Sequence, residues 1–248
     1  MTWRALITTF RTPAAVIPGL IISGFFLLVY EASLGNASGF LPGLAGKSYL
    51  AFILPVSVVS SALSGAGVAG QSIVRTIENG YFDKLLLTPV SRAALLLGAM
   101  IAGAIVLGLQ TAVVIGMGLL LGLQPETGIL GIGAVLGLAL LLGTGFSGFA
   151  VGIALRTGNA AATQSGTFLF FPLTFLTATF VPVSLLSGWI KTAAELNPIT
   201  YLLEAMRSLL LVGWEGDVLA RGLLACLALS ALMLSFALVG LRARTRRR

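Results

Sequence analysis

Apolar positions dominate this chain in long runs, separated by short polar junctions. Charge-free windows cover residues 12 to 30, 48 to 74, 93 to 125, 127 to 155, 157 to 190 and 222 to 241. A bilayer core about 30 Å thick is crossed by about 20 apolar residues of helix, and a Lys, Arg or Asp at its centre costs about 2.5 to 3.5 kcal/mol on insertion scales. Each window is long enough, the first only just. A further window, 32 to 46, is too short and too rich in Gly, Ser and Pro to span. The pattern predicts an all-α, polytopic membrane protein with six transmembrane helices at about 13–30, 49–70, 93–122, 129–155, 160–186 and 219–240. Ahead of the first, Trp3, Leu6, Ile7 and Phe10 recur at helical spacing opposite Arg4, Thr8 and Arg11, so residues 1–12 read as an amphipathic helix lying in the interface. A cleaved signal peptide is the competing reading of the same stretch.

Composition agrees: 57% of residues are hydrophobic, 9% are charged, and the mean hydropathy is +1.04. A soluble domain carries about 25% charged residues. The few charges are distributed unevenly. With both termini inside, Arg4, Arg11, Arg75, Lys84, Arg92, Arg156, Arg242, Arg244, Arg246, Arg247 and Arg248 fall on the cytoplasmic side against only Glu78 and Asp83. Outside lie Lys47, Lys191, Arg207 and Arg221 against six acids. That asymmetry predicts N-in, C-in topology. The closing "RARTRRR" follows a spanning helix directly, so it reads as a stop anchor at anionic lipid headgroups rather than a nucleic-acid tail.

The missing residue types exclude several chemistries. With no histidine, neither a Ser-His hydrolase nor a His-ligated metal centre is available. No Asp or Glu lies inside a span, so no intramembrane carboxylate relay can be named. Cys226 is the sole cysteine and sits in the last apolar window. "GLAGKS" (Gly43 to Ser48) ends like a phosphate loop, but Leu41 stands where the first glycine belongs. No catalytic residue, metal site or cofactor is expected in this chain.

The densest charge lies in "ENGYFDKLLLTPVSR", Glu78 to Arg92. Gly80 suits a left-handed end to the second span, and "YFDKLLL" reads as a short helix. Thr88 and Pro89 fit the N-cap and first position of the next helix. A simple hairpin connection needs only about 2 to 8 residues. This stretch resembles the cytoplasmic coupling segment of type 2 ATP-binding-cassette (ABC) exporter permeases, the group that includes daunorubicin-resistance-like and polysaccharide-export membrane subunits.

A second stretch, "LNPITYLLEAMRSLLLVG" (Leu196 to Gly213), resembles the same family's segment before the last span through Asn197, Pro198, Tyr201, Glu204 and Arg207. Read physically, Asn197 caps, Pro198 starts a helix, and Ile199, Leu202, Leu203, Met206, Leu209 and Leu210 form an apolar face. Thr200, Glu204, Arg207 and Ser208 lie away from it, with Glu204 and Arg207 spaced as an ion pair. Such a helix is too short and too charged to span; residues 187–213 are expected to form outer re-entrant helices, "SGWIKTAAEL" supplying the first.

The resemblance covers residues 1–248 as one transmembrane domain and implies an exporter subunit, without an ATPase site, in a bacterial inner membrane. It implies a separate ABC ATPase that binds ATP and Mg, and a second permease copy or sister permease. Residues 71–92 become the coupling segment. Tyr81, Phe82, Leu85 and Leu86 would fill a groove in the ATPase, while Glu78, Asp83, Lys84 and Arg92 set the register. Membrane lipid is a further partner and nucleic acid is not.

For the substrate path, Ser57, Ser60, Ser61 and Ser64 line one face of the second span, and Thr163, Thr167, Thr174 and Thr177 line one face of the fifth. Two readings stand: a conduit, or close helix packing by small residues. Gly133, Gly137, Gly148 and Gly152 read as packing. Pro172 and Pro182 are expected to kink the fifth span, as a gate or as a plain bend. The walls suit a hydrophobic drug, an antibiotic, a lipid or a polysaccharide. Two other classes are weighed: a secondary transporter or channel, which needs an ion site or repeat, and a six-span scaffold indifferent to nucleotide.

Overall fold

A computed structural model describes residues 17–34, 48–86, 92–177, 179 and 182–246. The expected interfacial helix at 1–12, most of the first outer loop, and Thr88 and Pro89 lie outside the described residues. The regular elements are α1 (Ile17–Leu34), α2 (Tyr49–Glu78), α3 (Tyr81–Leu86), α4 (Arg92–Leu120), α5 (Gly128–Thr157), α6 (Ala160–Phe168), α7 (Phe171–Phe175), α8 (Gly188–Leu196), α9 (Pro198–Leu211) and α10 (Gly216–Arg246). A 3₁₀ turn, Val183–Leu185, lies between α7 and α8. Helices α2, α4, α5 and α10 each contain a stretch long and apolar enough to cross a membrane; α1 holds a shorter apolar run, Gly19–Ser33.

The expectation of one kinked helix over 160–186 does not match the structure. Asn159 caps α6 through Oδ1, which accepts from the Ala162 amide at 3.0 Å, but the helix ends after Phe168. The amides of Leu169 and Phe170 then bond three residues back, to Gly166 and Thr167. Pro172 explains the break, because it lacks an N–H and its ring crowds the carbonyl four residues earlier. Beyond α7, the hydroxyls of Thr177 and Thr179 both donate to the Thr174 carbonyl, at 2.7 and 2.6 Å, replacing helical amides.

Helix α2 is the hub: 78% of its apolar window is buried within the chain, against 28% for α10, which therefore lies at the margin. α10 packs on α5 through small residues. A Cβ at Gly145 would meet Ser230, and one at Gly152 would meet Phe236, both under 3 Å. Gly148 faces α10 as well, whereas Gly133 and Gly137 are exposed and a Cβ there would meet nothing within 4 Å among the described residues, so the packing expected of those two is not seen there.

The apolar interior divides into two cores. One gathers Tyr49, Phe52, Leu107, Phe146, Leu202 and Met206 near α9. The other gathers Ile73, Val74, Phe82, Met100, Leu155 and Leu241 at the end where α2, α5 and α10 finish.

Candidate functional site

At the second core, α2 ends at Glu78 and the chain turns through Gly80, whose φ of +64° is the left-handed conformation glycine adopts most readily. Helix α3 then folds back across the end of α2. Its Phe82 is 2% exposed, packed among Val74, Ala154, Leu155 and Leu241. Phe82 thus anchors α3 to its own chain and, in this conformation, presents no surface to a partner's groove. Glu78 and Lys84 are exposed and Tyr81 is half-buried. Asp83, Leu85, Leu86 and Arg92 take part in helices, with side chains outside the described set.

Arg244 was read as part of a lipid anchor. In the structure it turns inward, donating from a guanidinium nitrogen to the Leu155 carbonyl at 3.0 Å, with its Cζ 5.6 Å from the centre of the Phe82 ring. Nearby, Arg156 lies over the Phe236 ring at 4.3 Å.

Of the eight hydroxyl residues singled out for a substrate path, three share a cleft between α1, α2 and α7. Ser57, Ser60 and Thr174 line it with Phe26, Tyr30, Val56, Phe175 and Thr179. The Ser57 Oγ is buried with no hydrogen-bond partner among the described residues, while Ser60 donates to the Val56 carbonyl at 3.0 Å. Phe26 and Tyr30 stack, with centroids 5.5 Å apart. Sequence reasoning passed over these rings, although their i, i+4 spacing on the first span was a legible signal. The other hydroxyls serve packing or helix bonding. Ser61 donates to Ser57 O and its hydroxyl lies 3.0 Å from that of Ser23 of α1, within hydrogen-bond reach, while Ser64 donates to Ser60 O, Thr163 to Asn159 O and Thr167 to Thr163 O. Thr177 sits beside the cleft, bonded to Thr179. One polar tie was not foreseen: Gln71 of α2 donates to Gln164 of α6 at 2.9 Å.

At the opposite end, α9 is buried on both faces. Of the polar residues expected to lie away from its apolar face, Thr200, Arg207 and Ser208 are 2%, 7% and 4% exposed and Glu204 is half-buried, so the fold encloses that face too. Asn197 accepts from the Ile199 amide as a cap, and its Nδ2 donates to the carbonyls of Leu173 and Leu176 at 2.7 and 3.2 Å. Tyr201 donates to the Glu195 carbonyl at 2.7 Å.

Arg207 donates from Nε to Phe52 O at 2.9 Å and from a terminal nitrogen to Thr179 O at 3.0 Å, and lies 3.6 Å over the Phe52 ring. No bridge within 4 Å joins it to Glu204; the ion pair seen in this region is Lys191 with Glu195 at 4.0 Å. Burial lowers the Arg207 guanidinium to about 9, with Glu204 and Tyr49 pulling the other way, so it stays protonated at neutral pH. Burial raises the Glu204 carboxyl, opposed by Arg207 and Arg221. The two acceptors differ: Thr179 lies outside any helix, whereas Phe52 lies within α2, where its carbonyl takes the guanidinium as a second donor; the carbonyl that Pro55 orphans is that of Ala51, four residues before it. Among the described residues, no group of three or more Cys, Asp or Glu gathers that would hold a metal.

Among the described residues, an all-helical bundle of apolar helices, with a short helix folded across one end and a buried polar clasp at the other, defines a membrane-embedded protein. The chain belongs to the ABC-2 type transporter family, whose model matches residues 1–211. It is 28% identical over 214 residues to a daunorubicin resistance ABC transporter permease protein, DrrB1, of Streptomyces coeruleorubidus, covering 84% of this chain and 72% of that protein. It is 24% identical over 212 residues to a probable doxorubicin resistance ABC transporter permease protein, DrrC, of Mycobacterium tuberculosis (86% and 76%), and 25% identical over 208 residues to a putative transport permease, ycf38, of Cyanophora paradoxa (83% and 71%). The chain is therefore a multi-pass membrane permease subunit of an ABC transporter, with ATP hydrolysis carried by a separate subunit.

Proposed function

We propose that this permease exports hydrophobic or amphipathic compounds of the drug class named in its relatives, through a path that includes the cleft between α1, α2 and α7. Two stacked rings beside buried hydroxyls suit a molecule with an aromatic face and polar edges. Two permease copies, or this chain and a sister, form the conduit in lipid, and the partner ATPase binds ATP and Mg. Six crossings complete the topology, with α1 as the first and the broken α6–α7 stretch as the fifth. Arg75, Lys84, Arg156 and Arg244 gather at one end of the bundle, which supports placing that end inside under the positive-inside rule.

The observation that carries the coupling reading is the posture of α3. It lies across the charged end, pinned by Phe82, with Glu78 and Lys84 outward. A pinned helix transmits a displacement that a slack loop would absorb. ATP-driven closure of the ATPase dimer would press on this helix and rock the two permeases between inward-facing and outward-facing states.

The test reverses the two exposed charges together, Glu78→Lys with Lys84→Glu, leaving the Phe82 anchor intact. Co-purification with the nucleotide-binding subunit is expected to weaken by about tenfold or more, while the chain still inserts and folds. If the wild type retains no ATPase, or the double variant retains it equally well, α3 is not the docking element.

A further inference from the structure

Arg244 lies outside the region expected to dock and outside the cleft, yet it joins three helix ends. Helix α5 closes at Thr157 with Gly158 at φ +62°, whose amide bonds Ala154 O at 2.8 Å. The Leu155 carbonyl, in the last turn, has no amide of its own helix to accept from, and the residue is only 1% exposed. Arg244 of α10 supplies the donor at 3.0 Å, placing a cation at the negative end of α5. The same guanidinium lies within cation–π reach of Phe82 on α3, at 5.6 Å. Leu241, one turn before it, is packed with Phe82 in the same core.

What these ends would move is set by the packing behind them. The glycine contacts at Gly145, Gly148 and Gly152 bring α5 and α10 together along much of their length, and a Cβ at Gly240 would meet the Gly152 carbonyl at 2.9 Å. Arg156 over Phe236 adds a second tie at the same end. Two helices this closely seated shift as one body.

We propose that Arg244 is a positioning residue for energy coupling, the joint through which displacement of α3 reaches the paired helices α5 and α10. This rests on α3 being the ATPase-docking element. When α3 moves, Phe82 pushes on Arg244 and Leu241, and the bond to Leu155 makes α5 follow with α10. Without Arg244, α3 moves in place and the far end of α10 stays still.

The test uses the assembled permease–ATPase complex in liposomes. Cys226, the sole cysteine and buried, is replaced by alanine, and Trp214, exposed just before the far end of α10, by cysteine. The labelling rate of Trp214→Cys by a membrane-impermeant maleimide is read with and without ATP and vanadate. In the Arg244-containing complex the rate changes with nucleotide. With Arg244→Ala, the bound ATPase and its basal hydrolysis are retained, while the nucleotide-dependent change shrinks by about fivefold or more. Arg244→Lys, which keeps a cationic donor, restores most of it, a rescue that a loss of folding would not show.

A complex that forms and hydrolyses ATP but shows no nucleotide response at Trp214→Cys overturns the proposal, as does an Arg244→Ala complex that responds fully. Arg244→Lys losing assembly together with Arg244→Ala would make the residue merely structural and also overturn it. Failure of the parent chain to hold an ATPase at all would sink the docking reading beneath it.

Discussion

The two ends of the bundle are each tied by an arginine, and the ties differ in kind. At the end bearing α9, Arg207 is fully enclosed, donates to two carbonyls on different segments and lies 3.6 Å over Phe52. Where α3 folds back, Arg244 is half-buried, makes one carbonyl bond and lies 5.6 Å from its ring. The first is a clasp whose loss leaves the buried Thr179 carbonyl without that donor. The second has little desolvation to repay, so it can yield. A transporter has use for both: one end that holds broken backbone in register, and one that gives when pushed.

The sharpest way to break that comparison is Arg207→Ala. It strands the Thr179 carbonyl in a closed environment, at a cost of about 1 to 3 kcal/mol, and removes the second donor to Phe52 O, worth about 1 kcal/mol, together with the ring contact. We expect a loss of about 4 kcal/mol, read as a large fall in Tm in detergent or as failure to accumulate folded protein. A variant melting within a degree or two of the parent would show that Arg207 is not a clasp.

Phe82→Ala comes next. Truncating a packed aromatic costs about 3 kcal/mol or more. Because α3 covers only the end of the bundle, that loss is expected to appear as local opening, with fast proteolysis near Gly80 before the global transition. Proteolysis and Tm moving together would mean that the end bearing α3 is as integral as the end bearing α9.

The smallest expected effect concerns Glu204. Its folded pKa is raised by burial, so the folded state holds that proton more tightly than the unfolded chain does. The resulting stability is present at low pH and is lost as pH rises from the ordinary value of 4.5 through the raised one. Tm measured against pH should fall across that window and flatten in Glu204→Gln. An unchanged slope would remove Glu204 from the polar setting of the clasp.

How much of this was legible depends on which force places each residue. The crossings α2, α4, α5 and α10 follow from runs of apolar residues, since a lipid-embedded chain must satisfy its backbone within each helix. Gly80 and Asn197 were readable because a left-handed turn and a capping carboxamide are local needs. The break after Phe168 was half legible. Pro172 announced a disturbance, but whether the helix bends or stops depends on whether other groups take over its carbonyls, and Thr177, Thr179, Asn197 and Arg207 do.

Side-chain roles were less legible. Phe82 looked like a docking residue because an aromatic in a polar segment reads as exposed; only the meeting of α2, α5 and α10 shows it to be buried. Arg207 and Glu204, three residues apart, suggested an ion pair, yet Arg207 found two carbonyls that only the fold brings to it, one on α2 and one on the irregular stretch after α7.

By itself, then, the sequence determined the solvent this protein lives in, the lengths of its principal helices and the family to which it belongs, because these depend on composition and near-neighbour spacing. The tertiary structure decided which hydroxyls share a cleft, that Phe82 is an anchor and that two arginines tie opposite ends of the bundle. Those outcomes turn on unpaired carbonyls and close helix contacts between residues far apart in the chain, which no local pattern encodes.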